Sequence, residues 1–377
     1  MKHIPPNSVQ VLHCAETIKG GIASYLRELL ICQARDFGAD AVAVVIPASQ
    51  ANELPVPQGV IVVTYPDKAG RAVNAMQLGL VTARFVRKHQ PKVVHAHSTF
   101  AGAVVRPLLA MLGLSSRVIY CPHGWAWDRS MGPVARKVTQ WVERELAQLC
   151  NKVVCISEYE RQSALAAGLE PEQLHVVLNG VAEKAPAPRG NVPAWPAGRK
   201  RLLFVGRFDQ QKGADLFCAA LRELGDEAFG VLAGGSVLYD THGLALPDNA
   251  ESVGWINAAR LEALFKTADV LVMPSRWEGF GLTAAEAMRA GVPVLAARVG
   301  GLPEVVAHGE TGLLFESGDV SGIVNAVRQH SLEEWRAMGH AGRARFEKLF
   351  TMERVHAQLC GLYEFSTDRV PTVTCVR

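Results

Sequence analysis

The chain has 377 residues, which at ~100–200 residues per domain predicts about two domains. Its 49% apolar and 20% charged residues, with 34 glycines in no fixed period, exclude collagen-like, disordered and disulfide-scaffold classes. A formal net charge of +3 gives no argument for a nucleic-acid partner, and no apolar run approaches the ~18–20 residues that cross a bilayer. The opening stretch MKHIPPNSVQVLHCAE sets two prolines where a signal peptide would need its apolar core, so a cytoplasmic protein is expected. Eight cysteines with no CxxC pair, several inside apolar runs such as VVCIS, read as buried free thiols in a reducing compartment.

Short β-rich runs alternate with helix-like stretches from one end to the other. Strands are predicted at 9–14, 40–46, 60–65, 92–97, 117–121, 152–157 and 174–178, with helical spacing at 21–35, 71–89, 101–112, 133–149 and 158–167. The pattern breaks at 182–200, where Pro186, Pro188, Pro193 and Pro196 interrupt any apolar period, and this reads as a linker. Strands resume at 201–206, 229–235, 269–274, 292–297 and 312–315, and 352–365 has the spacing of a closing amphipathic helix. Two doubly wound α/β domains with parallel sheets follow, joined by one hinge. The predicted division is a first domain at 1–182, a linker at 183–200, a second domain at 201–351, and a C-terminal helix and tail at 352–377 that is free to cross back to the first domain.

Charge is uneven. Residues 60–145 carry 12 Lys/Arg against 4 Asp/Glu, with Arg84, Arg87, Lys88 and His89 crowded at the end of the stretch 71–90. Two readings stand: a solvated helix ended by cations that suit its dipole, or a basic amphipathic face resting on anionic lipid.

The richest chemistry lies in DVLVMPSRWEGFGLTAAEAMRAGVPVLAA, residues 269–297. A strand ends near Pro274, and a helix opens at Leu282 after Gly279, Phe280 and Gly281. Free amides of such a helix start, with Thr283 in its first turn, attract anions. Glu278 and Glu286 frame this loop, and a carboxylate accepts paired hydrogen bonds from the hydroxyls of a sugar or ribose. Each acid read singly is equally an ordinary surface residue. In LLFVGRFDQQKGADLF, Gly206 ends a strand and Arg207 and Lys212 follow, two cations suited to a diphosphate or simply to solvent. Gly20 and Gly21 stand between the first strand and its helix, where backbone can approach a ligand or merely turn. His123 leaves a strand in VIYCPHGWAWD, placed to meet substrate or to serve as a structural imidazole.

Together these segments resemble a retaining glycosyltransferase of family four, over about residues 8–365. EGFGLTAAE is similar to that family's paired-glutamate motif, GRFDQQKG to its diphosphate motif, GGIASYL to its glycine loop and CPHGWAWD to its histidine segment. The resemblance implies the GT-B architecture, two Rossmann-like domains facing each other across a cleft, with closure at the 183–200 hinge. It implies that Arg207 and Lys212 neutralise the diphosphate of a nucleotide-sugar donor and that Glu278 holds the donor sugar. Phe280, Gly281 and Leu282 would supply amides, and Glu286 would hold the ribose. Gly20 and Gly21 would approach the phosphates, His123 would sit near sugar and acceptor, and the base would lie along Gly254, Trp255 and Ile256. The group transferred would go to a glycan or lipid-linked saccharide, as in bacterial exopolysaccharide and capsule synthesis, on the cytoplasmic face of the inner membrane.

No cofactor is expected. The chain has no D-x-D string to hold a metal on a diphosphate, and the imidazoles of HAH at 95–97, a ligand pair by spacing, are expected to hydrogen-bond instead. GFGLTA fits a dinucleotide fingerprint, but it follows a late strand of the second domain rather than the first strand, which argues against a nicotinamide dehydrogenase. A catalytically silent sugar-nucleotide-binding subunit is the remaining alternative.

Overall fold

A computed structural model describes residues 8–129, 131–236 and 244–365. They form two compact units, the first running to Gly180 and resuming at Met352, the second spanning Val181–Thr351.

The first unit runs β1 (Val11–Ala15), α1 (Gly21–Phe37), β2 (Val42–Pro47), β3 (Ile61–Tyr65), α2 (Arg71–His89), β4 (Val93–His97), α3 (Thr99–Met111), β5 (Val118–Cys121), α4 (Pro133–Ala147), β6 (Lys152–Cys155), α5 (Glu158–Ala166) and β7 (Leu174–Val176). Its seven strands are parallel in the order β3-β2-β1-β4-β5-β6-β7. The central strands β1, β2 and β4 are buried throughout, because helices cover both faces of a parallel sheet and leave no polar side to alternate with.

The second unit follows the same plan with β8 (Lys200–Val205), α6 (Ala214–Leu224), β9 (Ala228–Ala233), β10 (Ala250–Gly254), α7 (Ala258–Phe265), β11 (Val270–Met273), α8 (Leu282–Arg289), β12 (Val294–Ala297), α9 (Leu302–Val305), β13 (Gly312–Phe315), α10 (Val320–Gln329) and α11 (Leu332–Leu349). Its strand order is β10-β9-β8-β11-β12-β13, again parallel. A last helix, α12 (Met352–Tyr363), belongs to the first unit and packs on α1.

The proline-rich stretch expected as a linker lies along the second unit. Arg189 donates its amide to the Ala259 carbonyl at 3.0 Å, Arg260 donates to the Asn191 carbonyl at 3.0 Å, and Trp195 sets its ring edge-on to Phe229. The chain passes between the units at Gly180 and again after Thr351, and the second unit ties these ends together by the Val181 amide on the Phe350 carbonyl at 2.9 Å.

The described cysteines, Cys14, Cys32, Cys121, Cys150, Cys155, Cys218 and Cys360, are all buried and free, while Cys375 lies outside the described residues.

Candidate active site

In each sheet the chain reverses its direction of travel once, between β1 and β4 in the first and between β8 and β11 in the second. Loops at the carboxyl ends of such neighbouring strands diverge and leave room for a ligand. The loop after β8 carries Gly206, Arg207 and Lys212, and the loop after β11 carries Glu278, Gly279, Phe280 and Gly281.

These two loops are tied together. Lys212 Nζ donates to Glu278 Oε2 at 2.5 Å, with both side chains mostly buried. Arg276 donates to the Gln210 carbonyl and grips both oxygens of Asp215 at 2.9 and 2.6 Å, and this pairing holds the Asp215 carboxyl below its usual range. The Arg276 amide reaches the Gln211 carbonyl at 2.8 Å. Arg207 stands apart from the Lys212–Glu278 pair: it is half-exposed, donates to Gln211 Oε1 at 2.6 Å and lies 3.2 Å from Asp209.

Glycines let backbone approach backbone here. A Cβ on Gly213 would stand 2.1 Å from the Pro274 carbonyl oxygen, and one on Gly300 would stand 1.7 Å from that of Glu278. Gly301 donates its amide to the same Glu278 carbonyl at 3.1 Å. Gly281, with φ of 100°, begins α8, and no side chain caps the first amides of the helix, the groups that attract anions. The Phe280 ring is buried edge-on against Phe350 and anchors the loop, leaving only its backbone for a ligand. Thr283 and Glu286 lie partly buried on the first turns of α8.

At the far side of β8, Gly254 accepts the Gly234 amide at 2.9 Å, and a Cβ on Gly234 would strike the Gly206 carbonyl at 1.8 Å. The three strand ends β8, β9 and β10 are thereby held level. Trp255 follows with 62% of its surface exposed, against a partly buried Ile256.

In the first unit, Gly20 and Gly21 are exposed at the start of α1, and Gly20 adopts φ of 64°. Strand register sets His13 of β1 beside His95 of β4. His13 Nε2 meets Gln33 Oε1 at 2.7 Å, His13 Nδ1 meets His97 Nε2 at 2.9 Å, and His97 Nδ1 meets His123 Nε2 at 2.9 Å. His95 Nδ1 meets the Tyr363 hydroxyl of α12 at 2.7 Å. Burial pushes His13 and His123 down to about 4 and His95 and His97 well below the usual imidazole range, so all four are neutral at pH 7.

Neutrality fixes the direction of this chain. An amide oxygen only accepts, so His13 carries its hydrogen on Nε2 and accepts at Nδ1. His97 therefore donates from Nε2, accepts at Nδ1, and receives the Nε2 hydrogen of His123. His123 is left with a bare lone pair on Nδ1. It sits at a backbone kink with φ of 53°, followed by Gly124 at 104°, and Tyr25 packs edge-on against its ring. His13, His95 and His97 bring ligand nitrogens within 4.8 Å of one another, but the facing nitrogens of His13 and His97 already bond each other.

The structure thus brings Gly206, Lys212, Glu278 and Gly281 into one pair of loops, with Arg207 at their rim. Sequence reasoning missed Gly213, Gly234, Gly300 and Gly301, whose role is close backbone approach. The doubled glycine at 300–301 was the available signal. It also missed His13, Gln33, Tyr25 and Tyr363, which surround the HAH pair from other elements and carry no local motif.

Residues 19–184 match the family described as Glycosyltransferase Family 4, and residues 191–345 match Glycosyl transferases group 1. The chain is 33% identical over 346 residues to an uncharacterized 41.2 kDa protein in the cps region of Klebsiella pneumoniae, covering 89% of this chain and 94% of that one. It is 25% identical over 263 residues, 65% of this chain and 67% of the other, to the UDP-Gal:alpha-D-GlcNAc-diphosphoundecaprenol alpha-1,3-galactosyltransferase of Escherichia coli. Among solved structures, Anabaena HepE in complex with UDP and glucose superposes with a TM-score of 0.76 at 18% identity, covering 94% of this chain and 99% of that one. Sucrose-phosphate synthase from Thermosynechococcus elongatus gives 0.79 at 22%, covering 94% and 98%. With its fold shared by these structures and its sequence matching on both units, the chain belongs to the family-four glycosyltransferases of GT-B architecture.

Proposed function

We propose that this glycosyltransferase moves a sugar from a UDP- or GDP-sugar to a glycan or lipid-linked saccharide, with retention of anomeric configuration, in the synthesis of a bacterial surface polysaccharide. The relatives support the pathway: one protein comes from a cps region, and another is named for transfer onto a diphosphoundecaprenol-linked sugar. The observation that carries the chemistry is the Lys212–Glu278 pair beside the uncapped start of α8.

In the proposed mechanism the donor's diphosphate competes for Lys212 and frees the Glu278 carboxylate to accept hydrogen bonds from sugar hydroxyls. Amides around Phe280, Gly281, Leu282 and Thr283 meet the phosphate oxygens, Glu286 takes the ribose, and the base lies along Gly254, Trp255 and Ile256. The bond from the anomeric carbon to the diphosphate breaks, and its electron pair leaves with the phosphate oxygen. Lys212 and Arg207 stabilise that charge as it develops, without a metal. The acceptor hydroxyl attacks from the same face, and its proton passes to the departing oxygen. In the first unit Gly20 and Gly21 are proposed to contact phosphate, and His123 Nδ1 to accept a sugar hydroxyl.

Slow donor hydrolysis without acceptor, screened over UDP- and GDP-sugars with EDTA present, tests this. One donor should release its nucleotide, and Lys212→Ala or Glu278→Ala should reduce the rate by about 10²-fold or more. No release from any donor, with no thermal shift by any nucleotide, would instead point to a silent binder.

A further inference from the structure

The crossovers β3 to β4, β4 to β5 and β5 to β6 all advance in one direction along the first sheet, so α2, α3 and α4 share one of its faces, and α3 packs on both neighbours. The outer side of this layer is apolar. Met76 and Leu80 of α2, Met111 of α3, and Val134, Val138 and Trp141 of α4 are all exposed.

On α4 this exposure is fixed by the fold. Val134, Val138 and Trp141 are 75%, 54% and 57% exposed on one stripe, while the opposite side carries the buried Glu143. Glu143 accepts from Arg106 of α3 at 2.6 Å and from the Tyr120 hydroxyl at 3.1 Å, with the Arg106 guanidinium stacked 3.9 Å above the Tyr120 ring. Rotating α4 to hide its stripe would break the pair and strand a buried arginine without its carboxylate.

The charges around the stripe select its partner. Helices α2 and α3 contain no acidic residue, and the outer line of α2 continues from Leu80 into the exposed Arg84, Arg87 and Lys88. Lys137 and Arg144 flank the stripe of α4, and Glu145, the acid that continues its line after Trp141, pairs with Arg144 at 3.1 Å. A second copy docked through the same face would set these cations against their own kind. We infer that the α2–α3–α4 layer docks on an anionic phospholipid bilayer, with Trp141 and the valines entering the headgroup boundary and the lysine and arginines meeting lipid charge. This deepens the proposed reading of a lipid-linked acceptor, yet it is measured without any substrate.

The test is flotation of the full chain with vesicles of phosphatidylcholine alone, or mixed with phosphatidylglycerol, at low and high salt. Binding to the anionic vesicles, weakened by salt, is expected. The pair Val138→Ser with Trp141→Ser should reduce it at least about tenfold. Should that pair fail to fold, Lys137→Glu with Arg84→Glu tests the same face by charge and should also lose binding. Donor hydrolysis by these variants should stay at the parent rate, which separates loss of docking from loss of the donor site. The inference falls if the parent chain ignores anionic vesicles at low salt, or if the variants float as it does. It falls equally if the face instead holds a dimer that Trp141→Ser dissolves.

Discussion

At the scale of single residues, the four histidines of the first unit make its stability depend on pH. Each has a folded value below that of a free imidazole, so between about 4 and 6.5 the unfolded chain binds more protons, and stability falls as pH falls through that window. Each such group contributes about 1.4 kcal/mol per pH unit while unfolded imidazoles protonate and buried ones do not. Hydrogen exchange at pH 7 and pH 5 should show the strands β1 and β4 losing protection on acidification. Nitrogen-15 NMR at pH 7 should show His13, His97 and His123 as Nε2-protonated tautomers, and Gln33→Leu should relax that order by removing the acceptor at its end. An unprotonated Nε2 on His123 would overturn the assigned direction. Little of this was legible in the sequence. HAH gave two imidazoles on one strand face, but His13 enters through sheet register and Tyr363 from the far end of the chain, and no local spacing encodes either.

At the scale of elements, strands were the most legible feature because a parallel sheet buried on both faces must be written as unbroken apolar runs. The strand missed, β10, reads AESVG, lies at the sheet edge and keeps its middle residues exposed, so it offers no such run. Helix α4 was found as a helix, yet apolar spacing alone turns Val134, Val138 and Trp141 inward. The buried Arg106 reverses that choice by demanding Glu143. The glycines of the loop before α8 were legible in the sequence but its packing was not, since Gly300 and Gly301 hold it from a separate element. Gly300→Ala should therefore break the loop before α8, proposed to hold the donor: φ there is 53°, and the added carbon would lie 1.7 Å from the Glu278 carbonyl oxygen. The expected result is loss of donor hydrolysis with a lower melting temperature. Gly309→Ala, also at positive φ but with open space around its Cβ, should retain hydrolysis. Equal activity of both variants would mean that the Glu278 backbone does not need its glycine neighbour.

At the scale of the whole chain, the first unit is completed by residues that follow the second. Helix α12 buries Met352, Val355, Leu359, Cys360 and Tyr363, and its His356 bonds Asp36 of α1 at 3.0 Å. At the end of α12, Lys152 of β6 joins the Leu362 carbonyl at 2.8 Å and the Glu364 carboxylate at 3.1 Å. Burying one such apolar side chain contributes roughly 1.5–3 kcal/mol, and a domain is stable by only about 5–15 kcal/mol in all. Losing five of them together, and leaving His95 Nδ1 without its hydroxyl, removes an amount comparable with the whole of that stability. A chain ended at Thr351 should accordingly lose amide protection throughout β1, β2 and β4. Protection in β8, β11 and β12 should persist, because the second unit holds its own termini together through Val181 and Phe350. Hydrogen exchange read separately on peptides from the two sheets decides the matter. Retained protection of β1 would show that α12 only decorates the first unit, whereas joint loss in both sheets would show that the units fold as one.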